Sequence, residues 1–183
     1  MKKFELTSEF VTNIFGTKLF RIKALVEFGN VKAGDLGGYI EKEENLDHDG
    51  NAWVYGDARV YGNAEVCGNA EVCGNARVYG DARVCGDARV YGDAEVCGNA
   101  WVYGDADYAY AHGFGSINRT TTFFRLKDGG VGVRCGCFYG TLQEFRDKVR
   151  KTHVETKKAK EYLMLADLME LRFKEENEDG KNN

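Results

Sequence analysis

Between Gly50 and Tyr103 apolar and polar positions recur with a period of six, as nine consecutive copies of Gly-(Asn/Asp)-Ala-x-Val-(Tyr/Cys), and Gly104 to Ala109 reads as a decayed tenth copy. Ala and Val stand two apart in every copy, from Ala52 and Val54 to Ala100 and Val102. That spacing turns both to one face of a short extended segment. A helix is excluded, because a Gly at every sixth residue would cost about 0.8–1.0 kcal/mol each relative to Ala and the period would scatter Ala and Val around the cylinder. Gly-Asx pairs can also close two-residue hairpins, but an antiparallel meander would set Val54 opposite Arg59 and Trp53 opposite Val60, mixing charge and core on each face. The pattern predicts short strands that bend the same way at each Gly-Asx corner, where positive φ is tolerated, and return above themselves after three strands.

One coil is then 18 residues with three Ala and three Val inside, successive coils lie roughly 4.8 Å apart, and nine hexads make three coils. The outward position between Ala and Val supports this register. At a spacing of 18, Glu71–Arg89, Arg89–Asp107, Arg77–Glu95 and Glu65–Arg83 attract and only Arg59–Arg77 repels, whereas a spacing of 12 gives four attractive and two repulsive pairs.

A solenoid leaves an open core and unpaired edges at both ends, so the flanks are expected to cover them. Residues 1–49 form the N-terminal cap, with a strand from Lys18 to Phe28 and a glycine-rich approach through Gly34, Gly37 and Gly38; residues 50–109 form the solenoid; residues 110–183 form the C-terminal segment. There Thr121–Lys127 and Val131–Tyr139 read as strands joined at Asp128-Gly129-Gly130. Thr141 with Glu144 matches a capping box opening a helix over Leu142–Lys151. A second helix is predicted from about Glu155 to Glu175, with an apolar side of Tyr162, Leu165, Ala166, Leu168, Met169 and Phe173, and Glu175–Asn183 reads as a polar tail.

Composition removes several classes of function. The 183 residues carry 25 basic and 29 acidic side chains, a net charge of −4, so no global field advertises nucleic acid or an anionic membrane. No apolar run approaches the roughly 20 residues that span a bilayer, and Met1-Lys2-Lys3 leads into a mixed segment, Phe4 to Ser8, instead of a signal core, which places the protein in the cytoplasm. Cys67, Cys73, Cys85 and Cys97 share one repeated slot with Tyr, which reads as packing and not as a disulfide framework.

The Gly-Asp-Ala-Arg-Val-Tyr copies resemble the hexapeptide-repeat family of left-handed parallel β-helices. The flanks Lys32–Leu46 and Thr122–Gly130 resemble uncharacterised phage and prophage hexapeptide-repeat proteins, some of them transferase-like by analogy of fold. That resemblance implies the left hand of the coil, a homotrimer, and residence in a host bacterial cytoplasm. Enzymes on this scaffold commonly use a solenoid histidine as base for acyl transfer from a coenzyme A-type thioester, or three histidines for zinc. Here the nine regular hexads hold no His; His48, His112 and His153 lie outside them, so no metal site is expected and only His112 or His48 is left as a candidate base.

The remaining constellations favour binding over chemistry. Cys135-Gly-Cys137 lacks the second Cys or His cluster that a metal site needs. The glycines of Gly34–Gly38 and Gly129–Gly132 do not join a strand to a helix as a dinucleotide fingerprint requires. The outward aromatics Trp53, Tyr55, Tyr61, Tyr79, Tyr91, Trp101 and Tyr103, interspersed with Arg59, Arg77, Arg83 and Arg89, exceed what a monomer usually exposes and call for cover by the chain itself, a symmetry mate or a ligand. The expectation is a non-enzymatic oligomeric binding protein without a cofactor, acting on a host protein or sequestering a nucleotide-type ligand. The alternatives are an acyltransferase and a structural virion or spacer component.

Overall fold

A computed structural model describes residues 1–115 and 119–174. The polar tail expected at Glu175–Asn183 lies outside the described residues. Three longer strands come first: β1 (Phe4–Thr12), β2 (Lys18–Ala24) and β3 (Leu36–Ile40). Among the described residues nine two-residue strands follow, β4 to β12, at Trp53–Val54, Arg59–Val60, Glu65–Val66, Glu71–Val72, Arg77–Val78, Arg83–Val84, Arg89–Val90, Glu95–Val96 and Trp101–Val102. The chain ends in β13 (Tyr108–Phe114), β14 (Arg119–Arg125), β15 (Val131–Cys135), β16 (Phe138–Thr141), α1 (Leu142–His153) and α2 (Lys157–Phe173).

The short strands build a parallel β-solenoid in the 18-residue register. β5, β8 and β11 pair on the first face, β4, β7 and β10 on the second, and β6, β9 and β12 on the third, each residue against the one a coil away, as in Val60↔Val78 and Val78↔Val96. The Ala and Val of the nine hexads are fully buried. Two alternating small side chains per hexad fill the prism, and the strand backbones pair from coil to coil, while at the upper end the Arg89 and Glu95 N–H groups donate to the side chains of Asp105 and Thr122. Gly68 shows why glycine holds the corner. Its φ is +69°, and a Cβ there would lie 3.0 Å from the amide nitrogen of Gly86.

Stacking extends beyond the regular hexads at the lower end. β3 pairs in parallel with β5 through Tyr39↔Arg59 and Ile40↔Val60, and Leu46 bridges Val66, so a partial coil precedes the three predicted. Its strands lack the Gly-Asx-Ala punctuation, which hid them. β2 then pairs antiparallel with β3 and β1 with β2, continuing the first face outward as a hairpin. Phe4–Thr12 is thus a strand of the N-terminal cap, while the strand expected to reach Phe28 stops at Ala24.

Two polar side chains close the lowest carbonyls. Lys3 Nζ donates to the carbonyls of Gly50 at 3.4 Å and Ala52 at 3.0 Å, and Asn45 Nδ2 donates to those of Gly62 at 3.1 Å and Ala64 at 2.8 Å. Both are buried, and without them the coil would end on unsatisfied acceptors. At the upper end the predicted tenth hexad does not form. Gly104 leads into a short 3-10 turn at Asp105–Asp107, and Tyr108 begins β13, which pairs antiparallel with β14. The expected hairpin is the centre of a four-stranded antiparallel sheet, β13-β14-β15-β16. One side of it, with Phe124, Tyr108, Tyr110 and Leu126, plugs the solenoid core. The other, with Phe123 and Val133, carries α1 and α2 through Phe145, Val149, Tyr162, Ala166 and Phe173. Thr141 caps α1 with Glu144, as its spacing predicted.

The Gly-Asx corners form polar ladders along the prism. Asn51 donates its amide to Asn69, Asn69 to Asp87, Asn63 to Asp81 and Asn75 to Asp93, each at 3.0 Å. An amide below a carboxylate lets the hydrogen bond form, whereas stacked carboxylates would repel. Asn69→Asp should therefore cost about 1 kcal/mol, seen as a lower melting temperature that 0.5 M salt partly restores. Equal melting at both ionic strengths would show that the ladder carries no electrostatic cost.

Cys67 and Cys85, one coil apart with Cα atoms 4.5 Å apart, are joined as a disulfide. This corrects the reading of the shared Cys/Tyr slot as packing alone. The stacked register brings identical slots together, and only in this column do two cysteines coincide.

Candidate functional site

Each hexad turns two side chains outward, at the position before Val and the one after it. On the first face these columns are Tyr39, Arg59, Arg77 and Glu95, followed by Tyr61, Tyr79 and Cys97. The face is flanked by two appended structures. At one side the tip of the β1–β2 hairpin presents Asn13, Ile14 and Phe15; at the other, β14 and β15 present Arg119, Thr120 and Arg134.

The space between is a cleft with two lobes that share Arg77, Glu95 and Arg134. The polar lobe, about 300 Å³, is completed by Asn75, Asp93, Arg119, Thr120 and Gly136. The aromatic lobe, about 240 Å³, is completed by Ile14, Phe15, Arg59, Tyr61 and Tyr79. Tyr61 and Tyr79 stack, with ring centroids 5.0 Å apart and planes within 1° of parallel, because the coil repeats one slot directly above itself.

Glu95 organises the junction. Arg77 Nη1 donates to its Oε1 at 3.3 Å, while Arg134 Nε at 2.9 Å and the Tyr79 hydroxyl at 3.0 Å both donate to its Oε2. The guanidinium of Arg134 also lies 6.0 Å from the Tyr79 ring centroid. Burial works against the Arg134 charge, but the Glu95 hydrogen bond and the neighbouring groups outweigh it and hold its pKa above the ordinary arginine value. Arg59 and Arg119 have no ion-pair partner among the described residues, and Arg59 stacks on Arg77, the one repulsive pair foreseen in the register. Two adjacent guanidiniums, of which Arg77 is paired with Glu95, beside a stacked pair of phenols are suited to an anionic partner carrying a ring.

Burial pushes the Tyr79 phenol far above its ordinary value, with Cys97 and Glu95 adding to the shift, raises Tyr61 in the same direction, and pushes the Cys97 thiol up to about 11. Tyr108, within the plug, is also raised by burial. The folded chain thus holds protons that the unfolded chain releases near pH 10. Stability is retained below that pH and falls as it rises further. Lys3, pushed down to about 8 by burial, acts oppositely, but its gain is complete by about pH 10.5. The denaturation midpoint should fall between pH 10.5 and 11.5, and less steeply in Tyr79→Phe; identical slopes would show that this phenol does not contribute.

The other predicted residues are dispersed. Trp53 keeps its outward slot opposite Glu71 but is covered by the chain itself: at 1% exposure it is sealed by Phe4 and Phe28, whose ring centroids lie 6.3 and 5.3 Å away, because the N-terminal segment folds over the lowest coil of the second face. Tyr55 packs half-buried on the core of that face. Tyr91, half-exposed, meets Tyr108 and Tyr110 edge-on. On the third face Trp101 lies beside Tyr103 and the Lys127 ammonium. Arg83 and Arg89 are taken by Glu65 at 2.8 Å and Glu71 at 3.3 Å. Asp107, paired with Arg89 in the sequence register, goes to Arg125 at 3.2 Å instead.

Neither candidate base faces the cleft. His48 stacks on Phe4 at 4.4 Å, and its Nδ1 accepts the Lys3 backbone N–H at 3.2 Å. His112 Nδ1 lies 2.9 Å from Thr120 Oγ1, on an exposed part of β13. Cys135 accepts the Thr121 hydroxyl, and Cys137 is exposed in the β15–β16 turn. Among the described residues, no cluster of three or more His, Cys, Asp or Glu could hold a metal ion.

Residues 52–68, 70–86 and 82–98 match the YdcK beta solenoid repeat family. The match covers the regular coils and leaves both appended structures outside it, so it bears on the scaffold and not on the walls of the cleft. No curated protein matches the chain. Among the described residues no helix is long and apolar enough to cross a membrane.

Sequence reasoning found Arg59, Arg77, Tyr61 and Tyr79 but not that they share a face with Glu95, although the 18-residue register implies it. Arg119, Arg134, Ile14 and Phe15 carried no signal. They enter through the docking of the flanks, which has no period to read.

Proposed function

We propose that the chain is a non-enzymatic, self-associating binding protein that holds a nucleotide-type ligand in the cleft on its first face. The ring of the ligand lies against Tyr61 and Tyr79, and its anionic part lies on Arg77 and Arg134. The observation that carries this reading is the Glu95 junction, where one carboxylate aims two guanidiniums at the boundary between an aromatic and a polar lobe. Taken singly, the two lobes, about 300 and 240 Å³, lie at and just below the lower end of the size range of small-molecule sites. Their concavity favours a small ligand over a host protein, and acyl transfer lacks a histidine at the cleft.

The trimer expected for hexapeptide-repeat proteins belongs to this reading. It is supported by the exposed Tyr91 and Tyr103 on the other two faces. Native mass spectrometry tests both parts, with a trimer and a retained nucleotide-sized mass expected. Calorimetric titration should then show micromolar binding that Arg77→Ala weakens at least tenfold. No binding of any nucleotide at millimolar concentration would sink the ligand, and a strictly monomeric mass would sink the assembly.

A further inference from the structure

Resting on that reading, we infer that the anionic part of the ligand is a single phosphate monoester, seated in the polar lobe between Arg77, Arg119 and Arg134, and that a polyphosphate is disfavoured. Three guanidiniums line the polar lobe, Arg77, Arg119 and Arg134, against the carboxylates of Asp93 and Glu95, an excess of one positive charge that Arg59 of the adjoining lobe raises to two over the whole cleft. A phosphate monoester near pH 7 carries about −1.5 to −2, which this excess matches. A triphosphate would be left undercompensated.

A polyphosphate would be accompanied by a cation. Magnesium is usually held by one or two carboxylates together with the phosphates. Here both oxygens of Glu95 are committed, Oε1 to Arg77 and Oε2 to Arg134 and Tyr79. Asp93 accepts the Asn75 amide at 3.0 Å. Glu95 is spent on aiming donors, which leaves Asp93 Oδ2 as the single carboxylate oxygen of the lobes with no hydrogen bond among the described residues.

Arg119 is placed to receive a single anion. It is partly buried, has no ion-pair partner among the described residues, and lies across Gly136, where an added Cβ would overlap its guanidinium. Gly136 sits at φ +59° in the β15–β16 turn, so the turn supplies the shallow floor on which the guanidinium rests. A planar donor fork held this way beside Arg77 and Arg134 surrounds one tetrahedral anion with donors.

The experiment is calorimetric titration of the full chain with the mono-, di- and triphosphates of adenosine, guanosine, cytidine and uridine and with the free nucleosides, with and without magnesium. For the preferred base, the monophosphate should bind at least tenfold more tightly than the triphosphate or the nucleoside, and magnesium should not reverse the order. Arg119→Ala should weaken the monophosphate at least tenfold and leave nucleoside binding unchanged. Gly136→Ala, which keeps every charge, should weaken the monophosphate in the same direction, with circular dichroism melts establishing that both variants fold. A triphosphate that binds as tightly as the monophosphate, or an Arg119→Ala protein of unchanged affinity, overturns the monoester and leaves nucleotide binding standing. Silence from every nucleotide overturns the underlying reading as well.

Discussion

Phe124→Ala should remove about 3–5 kcal/mol of stability and change how the protein behaves in concentrated solution. Phe124 is fully buried and belongs to the side of the C-terminal sheet that closes the upper end of the Ala/Val prism. Truncating it leaves a void beneath β13 and β14 and weakens the seat of the whole plug. The exposed upper edges of β10, β11 and β12 would then offer unpaired strands to a neighbouring molecule. Urea titration should show the lost stability, and light scattering should show growth by end-to-end addition. A variant that stays within 1 kcal/mol of the parent and scatters no more light would show that the plug is dispensable.

A second large effect is expected at Gly38. Its backbone needs no glycine conformation, but a Cβ there would lie 2.6 Å from the carbonyl oxygen of Ala58 and 2.7 Å from Val54 Cγ1. The oxygen belongs to the ladder that accepts the Tyr39 amide at 2.9 Å, so it cannot yield without breaking the first stacked strand. Gly38→Ala should cost about 3 kcal/mol and release the partial lower coil together with the β1–β2 hairpin, seen as amide exchange spreading over residues 4–40. Gly104→Ala is the control: its φ is −158° and a Cβ would meet nothing within 4 Å, so it should melt like the parent. Equal melting of Gly38→Ala would mean that the lower coil is not close-packed.

The two regions differ in what their sequences disclose. From Gly50 to Tyr103 an Ala and a Val two apart and a Gly-Asx corner every six residues admit one solution, because each coil must satisfy its backbone on the next. That argument fixed the strands, the interior and the charge ladders. It stopped being legible where the punctuation stops. Leu36–Ile40 stacks as well as any hexad, yet it reaches the register through the antiparallel β2 and not through a corner.

Tertiary cover was equally hidden. Trp53 occupies an outward slot by period, yet it is fully buried, since Phe4 and Phe28 close over it. By contrast, the Cys67–Cys85 bond was available in principle. The same 18-residue step that sets Glu65 against Arg83 sets these cysteines together. Half of the candidate cleft was similarly within reach, through Arg59, Arg77, Tyr61, Tyr79 and Glu95. The other half comes from Arg119, Arg134 and the hairpin tip, whose positions depend on where two separate caps dock.

The cleft has one wall attached below the regular coils and the other above them. Each coil is therefore a graduation on a calliper, and inserting one 18-residue unit would part the jaws by about 4.8 Å without altering either jaw. A chain built on this plan can be tuned to longer or shorter ligands by the number of its repeats alone, a mode of adjustment closed to folds whose binding residues all lie in one indivisible core.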